Sequence, residues 1–205
     1  MTAPARRWSQ LHHGIDPTEV PLLGRWLRTM WWLARPLVRL RVPPTLVTMV
    51  GVLLAVDAVP LAARFPWAAG VCVLGSVVCD GLDGAVAVLR DHATRSGALA
   101  DALADRVSDV AMAAVIWRFG APWWLAATAG ALAVGVDALR RIRRTPERLT
   151  VAERPTWTVC TLLACLCATV GSATWPAAVC ASVWVAAGAL GTAQLVRTAP
   201  GPSRR

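Results

Sequence analysis

Four aspartates carry the chemistry that this sequence can do. Asp80, Asp83, Asp101 and Asp105 sit in stretches that are otherwise apolar. Asp80, Asp83, Gly84 and Ala87 recur at i, i+3, i+4 and i+7, which is one face of a helix, and Gly97, Asp101 and Asp105 at i, i+4 and i+8 form another. If residues 90–96 turn one segment back along the other, depths follow from the helical rise. Asp80 and Asp105 both lie about 13 Å from the turn, and Asp83 and Asp101 about 8–9 Å. The four carboxylates then converge in two layers. Like charges that close raise one another's pKa, so the group needs neutralising. Two Mg²⁺ or Mn²⁺ ions would bring its charge to zero. Such ions take oxygen ligands and bridge to phosphates. Gly84, Ala87 and Gly97 have almost no side chain and leave the backbone open to a ligand or a neighbouring helix.

The elements that hold these residues are membrane spans. Of 205 residues, 56% are hydrophobic and only 16% charged, and mean hydropathy is +0.52. That balance excludes an ordinary soluble domain and a disordered chain. Each aspartate at mid-span depth costs about 2.5–3.5 kcal/mol, or on the order of 10–14 kcal/mol for four, so an interior site must compensate. Six spans of suitable length are legible, at 43–63, 66–89, 97–118, 121–139, 156–172 and 175–196. Very short links at 64–66, 119–122 and 171–175 pair them into hairpins.

All 21 basic residues are arginine, and the net charge is +9. Eighteen of them fall in 1–42, 90–96, 140–155 and 197–205, against Arg64 and Arg118 on the opposite side and Arg106 within a span. This asymmetry places both termini, and the mouth of the aspartate site, in the cytoplasm. Trp67, Trp117, Trp123, Trp124, Trp157 and Trp175 lie near span ends, as interfacial aromatics do. In 22–40, Arg25, Arg28, Arg35 and Arg39 form one stripe and apolar residues fill the remainder, which predicts an amphipathic helix on the cytoplasmic leaflet, kinked at Pro36. The expected architecture is therefore an all-α integral membrane protein: a leader with an interfacial helix (1–42), a six-helix transmembrane domain (43–196) and a cytoplasmic tail (197–205). Basic charge on so apolar a chain points to anionic lipid or anionic substrates, and nucleic acid is set aside as a partner. The first 20 residues lack the apolar core of a signal peptide. The six cysteines lie in apolar runs without zinc-type spacing and read as packing residues.

At the aspartates the chain resembles a known family, the CDP-alcohol phosphatidyltransferases, which carry D-x2-D-G-x2-A-R-x8-G-x3-D-x3-D. The sequence here runs Asp80-x2-Asp83-Gly84-x2-Ala87-Val88-x8-Gly97-x3-Asp101-x3-Asp105, keeping seven of the eight fixed positions and every gap. Val88 replaces the family's arginine, and Arg90 nearby points to a different face. The resemblance implies that Asp80, Asp83 and Asp101 hold two divalent ions, Mg²⁺ or Mn²⁺, with Asp105 also near the second. It implies that Gly84, Ala87 and Gly97 make room for the cytidine nucleotide of a CDP-linked lipid donor such as CDP-diacylglycerol. Asp105 is implied as the general base that takes the proton of an alcohol acceptor, with CMP as the leaving group. The acceptor and a homodimeric state stay open.

Other charged residues read more plainly. Asp109 continues the Asp101–Asp105 face and is expected either to pair with Arg106, the favoured reading, or to support the metal site. Asp57 is expected to be buried and structural. His92 is a solvated loop residue. Arg140, Arg141, Arg143 and Arg144 anchor the cytoplasmic side, with contact to an acceptor phosphate as the sharper option, one that extends to Arg154. A transporter using intramembrane aspartates as a cation relay, or a non-catalytic relative, is the rival reading. Acids gathered on one hairpin, without repeat halves, favour chemistry instead.

Overall fold

A computed structural model describes Ser9 and residues 21–90, 95–143, 154–171 and 174–197. Among these residues there are seven helices and no strand: α1 (Pro21–Arg39), α2 (Pro44–Ala62), α3 (Pro66–Arg90), α4 (Arg95–Arg118), α5 (Trp123–Arg143), α6 (Arg154–Val170) and α7 (Trp175–Arg197). Helices α2 to α7 stand where the six apolar segments were expected. Three of them, α2, α3 and α7, are long and apolar enough by length and composition to cross a membrane, and α6 is a shorter apolar helix.

Proline marks the starts. Pro44 and Pro66 open α2 and α3, where the missing N–H costs nothing and the fixed φ already suits a helix. The end of α1 is closed by two hydrogen bonds, Arg41 N–H to the Val38 carbonyl (3.1 Å) and Val42 N–H to the Leu37 carbonyl (2.9 Å). This is a helix-stop motif that puts its turn residue in the left-handed region, and Arg41 stands there with φ 57°. The Arg90 guanidinium donates to the carbonyl oxygens of Val42 (3.1 Å) and Arg41 (3.4 Å), tying the end of α3 to this turn. Between α4 and α5 the chain turns at Gly120, φ 100°, a conformation that glycine adopts without strain.

Apolar residues face outward. On α2, Leu46, Met49, Val50, Leu53 and Val56 form one exposed stripe. On α4, Leu99, Leu103, Val107 and Val110 are exposed, while Asp101 and Asp105 are half-buried and Asp109 is buried on the opposite side. A soluble protein would place these the other way round. Trp67, Trp117, Trp123, Trp124 and Trp175 are exposed at helix ends, as the interfacial reading expects. Trp157 is not: it is only 3% exposed and stacks on Trp184 with ring centroids 5.3 Å apart. Its position near a helix start suggested an interfacial ring, but α6 turns that face onto α7, and the indole is core.

The chain divides into two compact units, Met1–Leu54 with Leu74–Asp105, and Ala55–Val73 with Arg106–Arg205. In the first, the core is Met30 and Ala34 of α1 against Ala85 and Val86 of α3, flanked by Trp31, Leu33, Leu37, Val38, Leu82 and Leu89. In the second, α7 packs on both α5 and α6, with Trp184, Ala181 and Thr161 fully enclosed. Asp57, expected in the interior, is exposed on α2; Ala55 and Ala58 take the inward positions instead. Of the six thiols, Cys160 and Cys165 are buried, Cys167 is exposed, and all six are free.

Candidate metal and substrate site

The first unit brings Asp80 of α3 together with Asp101 and Asp105 of α4. Each offers a carboxylate oxygen, and these three oxygens lie within 4.8 Å of one another, with all three side chains half-buried. The hairpin geometry explains this: Asp80 and Asp105 match in depth, and Asp101 lies one turn of α4 from Asp105. Hard oxygen donors this close suit one Mg²⁺ or Mn²⁺, with Mg²⁺ bonding oxygen at about 2.0–2.1 Å. The chemistry of the donor set therefore fits the ion that the sequence pattern implied.

Asp83 is more deeply buried than that trio. It is 6% exposed, and its Oδ2 accepts a hydrogen bond of 2.5 Å from the Thr48 hydroxyl of α2. That hydroxyl also lies 3.1 Å from the Pro44 carbonyl, one turn back on its own helix. Asp83 remains within electrostatic range of Asp101 and Asp80. Three helices thus contribute to the site: α3 and α4 the carboxylates, α2 a donor that orients one of them. Thr48 was not singled out in the sequence, because a lone threonine in an apolar span gives no signal that separates it from a packing residue.

The small residues differ in their surroundings. Gly84 is exposed, and a methyl group built on it would meet nothing within 4 Å. It lies next to Asp83 with open space over its backbone, as a ligand-facing position requires. Ala87 and Gly97 are half-buried. Gly81, between the two α3 aspartates, is closed instead: a Cβ there would lie 2.9 Å from Met30 Sδ and 3.1 Å from Trp26 Cζ2. Val88, in the position of the family's arginine, is 5% exposed, and Arg90 is occupied with the α1–α2 turn, so neither supplies a cation at the site. His92 lies outside the described residues, as do Arg144 and the loop up to Glu153; Arg141 and Arg143 belong to α5 by backbone only.

The second unit holds an ion network of its own. Arg106 Nη1 pairs with Asp109 Oδ2 at 3.2 Å, and Nη2 pairs with Asp137 Oδ2. Arg140 Nη1 is 3.8 Å from Asp137 Oδ1, and Arg154 Nε is 4.0 Å from Asp109 Oδ1. The Arg106–Asp109 pair is as expected. Asp137 was missed, although a carboxylate three residues before Arg140 in an apolar span was a legible sign of pairing.

The chain belongs to the CDP-alcohol phosphatidyltransferase family, whose model matches residues 41–194. Among curated relatives, it is 37% identical over 116 residues to the phosphatidylinositol phosphate synthase of Mycobacterium marinum, covering 53% of this chain and 46% of that one. To the enzyme of the same name from Mycobacterium tuberculosis it is 37% identical over 113 residues, covering 53% and 50%. The chain thus aligns with about half the length of these relatives. Two crystal structures of the M. tuberculosis protein share the fold. The one with CDP-DAG bound has a TM-score of 0.69 at 23% identity, covering 87% of this chain and 98% of that one. The one in complex with manganese and citrate has a TM-score of 0.70 at 25% identity, covering 86% and 92%.

Proposed function

We propose that this chain transfers a phosphatidyl group from a CDP-linked lipid such as CDP-diacylglycerol to an alcohol, releasing CMP. The observation that carries this reading is the meeting of Asp80, Asp101 and Asp105 oxygens from two helices within 4.8 Å of one another, in a chain of this family. Asp80, Asp101 and Asp105 would hold Mg²⁺ or Mn²⁺, with Asp83 beside them for a second ion. When bound, the ions neutralise charge on the carboxylates and the donor diphosphate and polarise the phosphoryl oxygens.

Asp105 takes the proton of the acceptor hydroxyl. The acceptor oxygen then forms a bond to the phosphorus attached to diacylglycerol, and the bond from that phosphorus to the bridging oxygen breaks, with CMP leaving on the electron pair. The open backbone at Gly84, flanked by Ala87 and Gly97, receives the nucleotide. The protein's contribution is positioning and charge compensation. The relatives are named for a phosphatidylinositol phosphate product, so a phosphorylated inositol is the first acceptor to test.

The surrounding architecture in this reading is a multi-pass protein of the cytoplasmic membrane, with six spans within 43–196, a leader with an interfacial helix over 1–42 and a tail over 197–205. The outward apolar stripe of α4 supports a lipid-facing role for a helix whose aspartates alone make it look too polar. The arginine distribution supports cytoplasmic termini and a site open to the cytoplasm.

The test is purified protein with CDP-diacylglycerol, Mn²⁺ or Mg²⁺ and a panel of acceptors, following CMP. Release is expected only with a divalent ion. It should fall by about a hundredfold or more in Asp105→Asn. CMP at the wild-type rate in that variant rejects the base assignment. Cation flux through reconstituted vesicles without CMP favours the transporter.

A further inference from the structure

Helix α1 carries two straight stripes. Leu23, Leu27, Met30, Ala34 and Leu37 follow one another at alternating steps of four and three residues, and Arg25, Arg28, Trp32, Arg35 and Arg39 at alternating steps of three and four. At 100° per residue the two stripes lie about 160° apart, on opposite sides of the helix.

The apolar stripe is already occupied by protein. Leu27, Met30 and Ala34 are buried, Met30 and Ala34 pack on Ala85 and Val86 of α3, and Met30 and Trp26 close over Gly81. An interfacial helix ordinarily attaches by sinking its apolar face into lipid. Here that face is spent on α3.

The other stripe is left outward. Arg25, Arg28, Arg35 and Arg39 are all exposed, Trp32 in their midst is 65% exposed, and Pro21–Arg39 contains no acidic residue. A face turned toward bulk water has no use for a bare indole. A row of guanidinium groups with an indole at its centre suits the headgroup layer of an anionic bilayer, where arginine meets phosphate and tryptophan sits between the polar and apolar zones.

We propose that the Arg25–Arg28–Trp32–Arg35–Arg39 stripe is a docking face for anionic phospholipid headgroups, so that α1 bridges the carboxylate-bearing helix on one side and acidic lipid on the other. The inference needs the chain to lie in a membrane, and it does not depend on the transfer activity.

The test is lipid selectivity, measured with the full-length protein in phosphatidylcholine vesicles carrying a trace of spin-labelled phosphatidylglycerol or spin-labelled phosphatidylcholine. The wild type is expected to immobilise the anionic probe about threefold more than the zwitterionic one. The variant with Arg25→Gln, Arg28→Gln, Arg35→Gln and Arg39→Gln should lose most of that preference, and the variant with lysine at the same four positions should keep it. Circular dichroism and Mn²⁺ binding establish that each variant is folded. Should the glutamine variant not fold, the wild type titrated with salt decides: the preference must fall as salt rises. Equal immobilisation of both probes by the wild type, a preference unchanged in the folded glutamine variant, or a preference indifferent to salt would each overturn the proposal. In that event the stripe faces solvent or a soluble partner.

Discussion

Thr48 of α2 donates its hydroxyl to Oδ2 of Asp83 on α3. The bond joins a helix with no carboxylate in the site to one with two. Replacing Thr48 with valine keeps the shape of the side chain and removes the donor. A buried carboxylate oxygen then loses its partner, which costs about 1–3 kcal/mol. Thr48→Val is expected to lower the thermal midpoint in detergent and to slow CMP release, and Thr48→Ser is expected to restore both. Valine with wild-type stability and rate would show that the hydroxyl does not position Asp83.

The trio of Asp80, Asp101 and Asp105 leads to a prediction about metal alone. Asp101→Asn removes one charged ligand of three while keeping the size of the side chain. The expected outcome is a loss of Mn²⁺ affinity of about tenfold or more, read from the free-ion signal in electron paramagnetic resonance. The fold should stay intact, because charge repulsion within the cluster is relieved. Unchanged Mn²⁺ binding would place the ion elsewhere.

Gly84 offers a variant that separates substrate binding from folding. No protein atom lies within 4 Å of a Cβ built there, so a side chain at position 84 leaves the backbone without a clash, and Gly84→Leu is the variant to make. It should leave the thermal midpoint unchanged or slightly raised, since leucine is the better helix former by about 0.5–1 kcal/mol. The side chain would instead occupy the space over the backbone beside Asp83. The expected kinetic signature is a KM for CDP-diacylglycerol raised about tenfold or more. A normal KM would show that the nucleotide does not pass over Gly84.

The aspartate pattern was legible because helix geometry is regular. Spacing of three and four residues fixed the faces, and a constant rise fixed which aspartates meet across the turn. Asp80 with Asp105 follows from that arithmetic. The bond from Thr48 to Asp83 does not, because the rotation of α3 about its axis is decided by packing with α1 and α2. Asp57 and Trp157 were misplaced for the same reason: position along a span gives depth, but not whether the side chain faces lipid or a neighbouring helix. Arg90 was readable as a surface charge only, since its partners are carbonyl groups about fifty residues away, at Arg41 and Val42.

Arg106 joins Asp109 and Asp137, and thereby α4 and α5. Asp109 is almost fully enclosed, with its side chain 4% exposed. Removing the guanidinium leaves that carboxylate with Arg154 alone, at 4.0 Å. Arg106→Ala is expected to cost about 3 kcal/mol, the scale for breaking a buried pair from one side. Asp109→Asn combined with Arg106→Ala should recover part of the loss, because the enclosed charge at position 109 is then removed along with its partner. A double-mutant cycle on thermal unfolding measures this coupling, and a value near zero would mean that the pairs are satisfied by solvent.

The packing of α2 on α3 gives the sharpest steric test. A Cβ at Gly51 would lie 2.9 Å from Cys79 Cβ and 3.4 Å from the Ser76 carbonyl oxygen. A Cβ cannot rotate out of the way, so Gly51→Ala must push the two helices apart. Alanine gains about 1 kcal/mol of helix propensity over glycine, but overpacking costs about 1–3 kcal/mol, so the net effect is destabilising or near zero. Cys79 immediately precedes Asp80, so the displacement also reaches the carboxylate site, and Mn²⁺ affinity should fall along with stability. Replacing Cys79 with alanine cannot help, because the clashing atom remains. Cys79→Gly in the Gly51→Ala background removes it and should restore Mn²⁺ binding, although a second helical glycine carries its own cost of about 1 kcal/mol. Recovery of metal affinity in the double variant but not in Gly51→Ala with Cys79→Ala would tie the site's geometry to this one contact; equal affinity in all three would show that the aspartates tolerate a shift of α2.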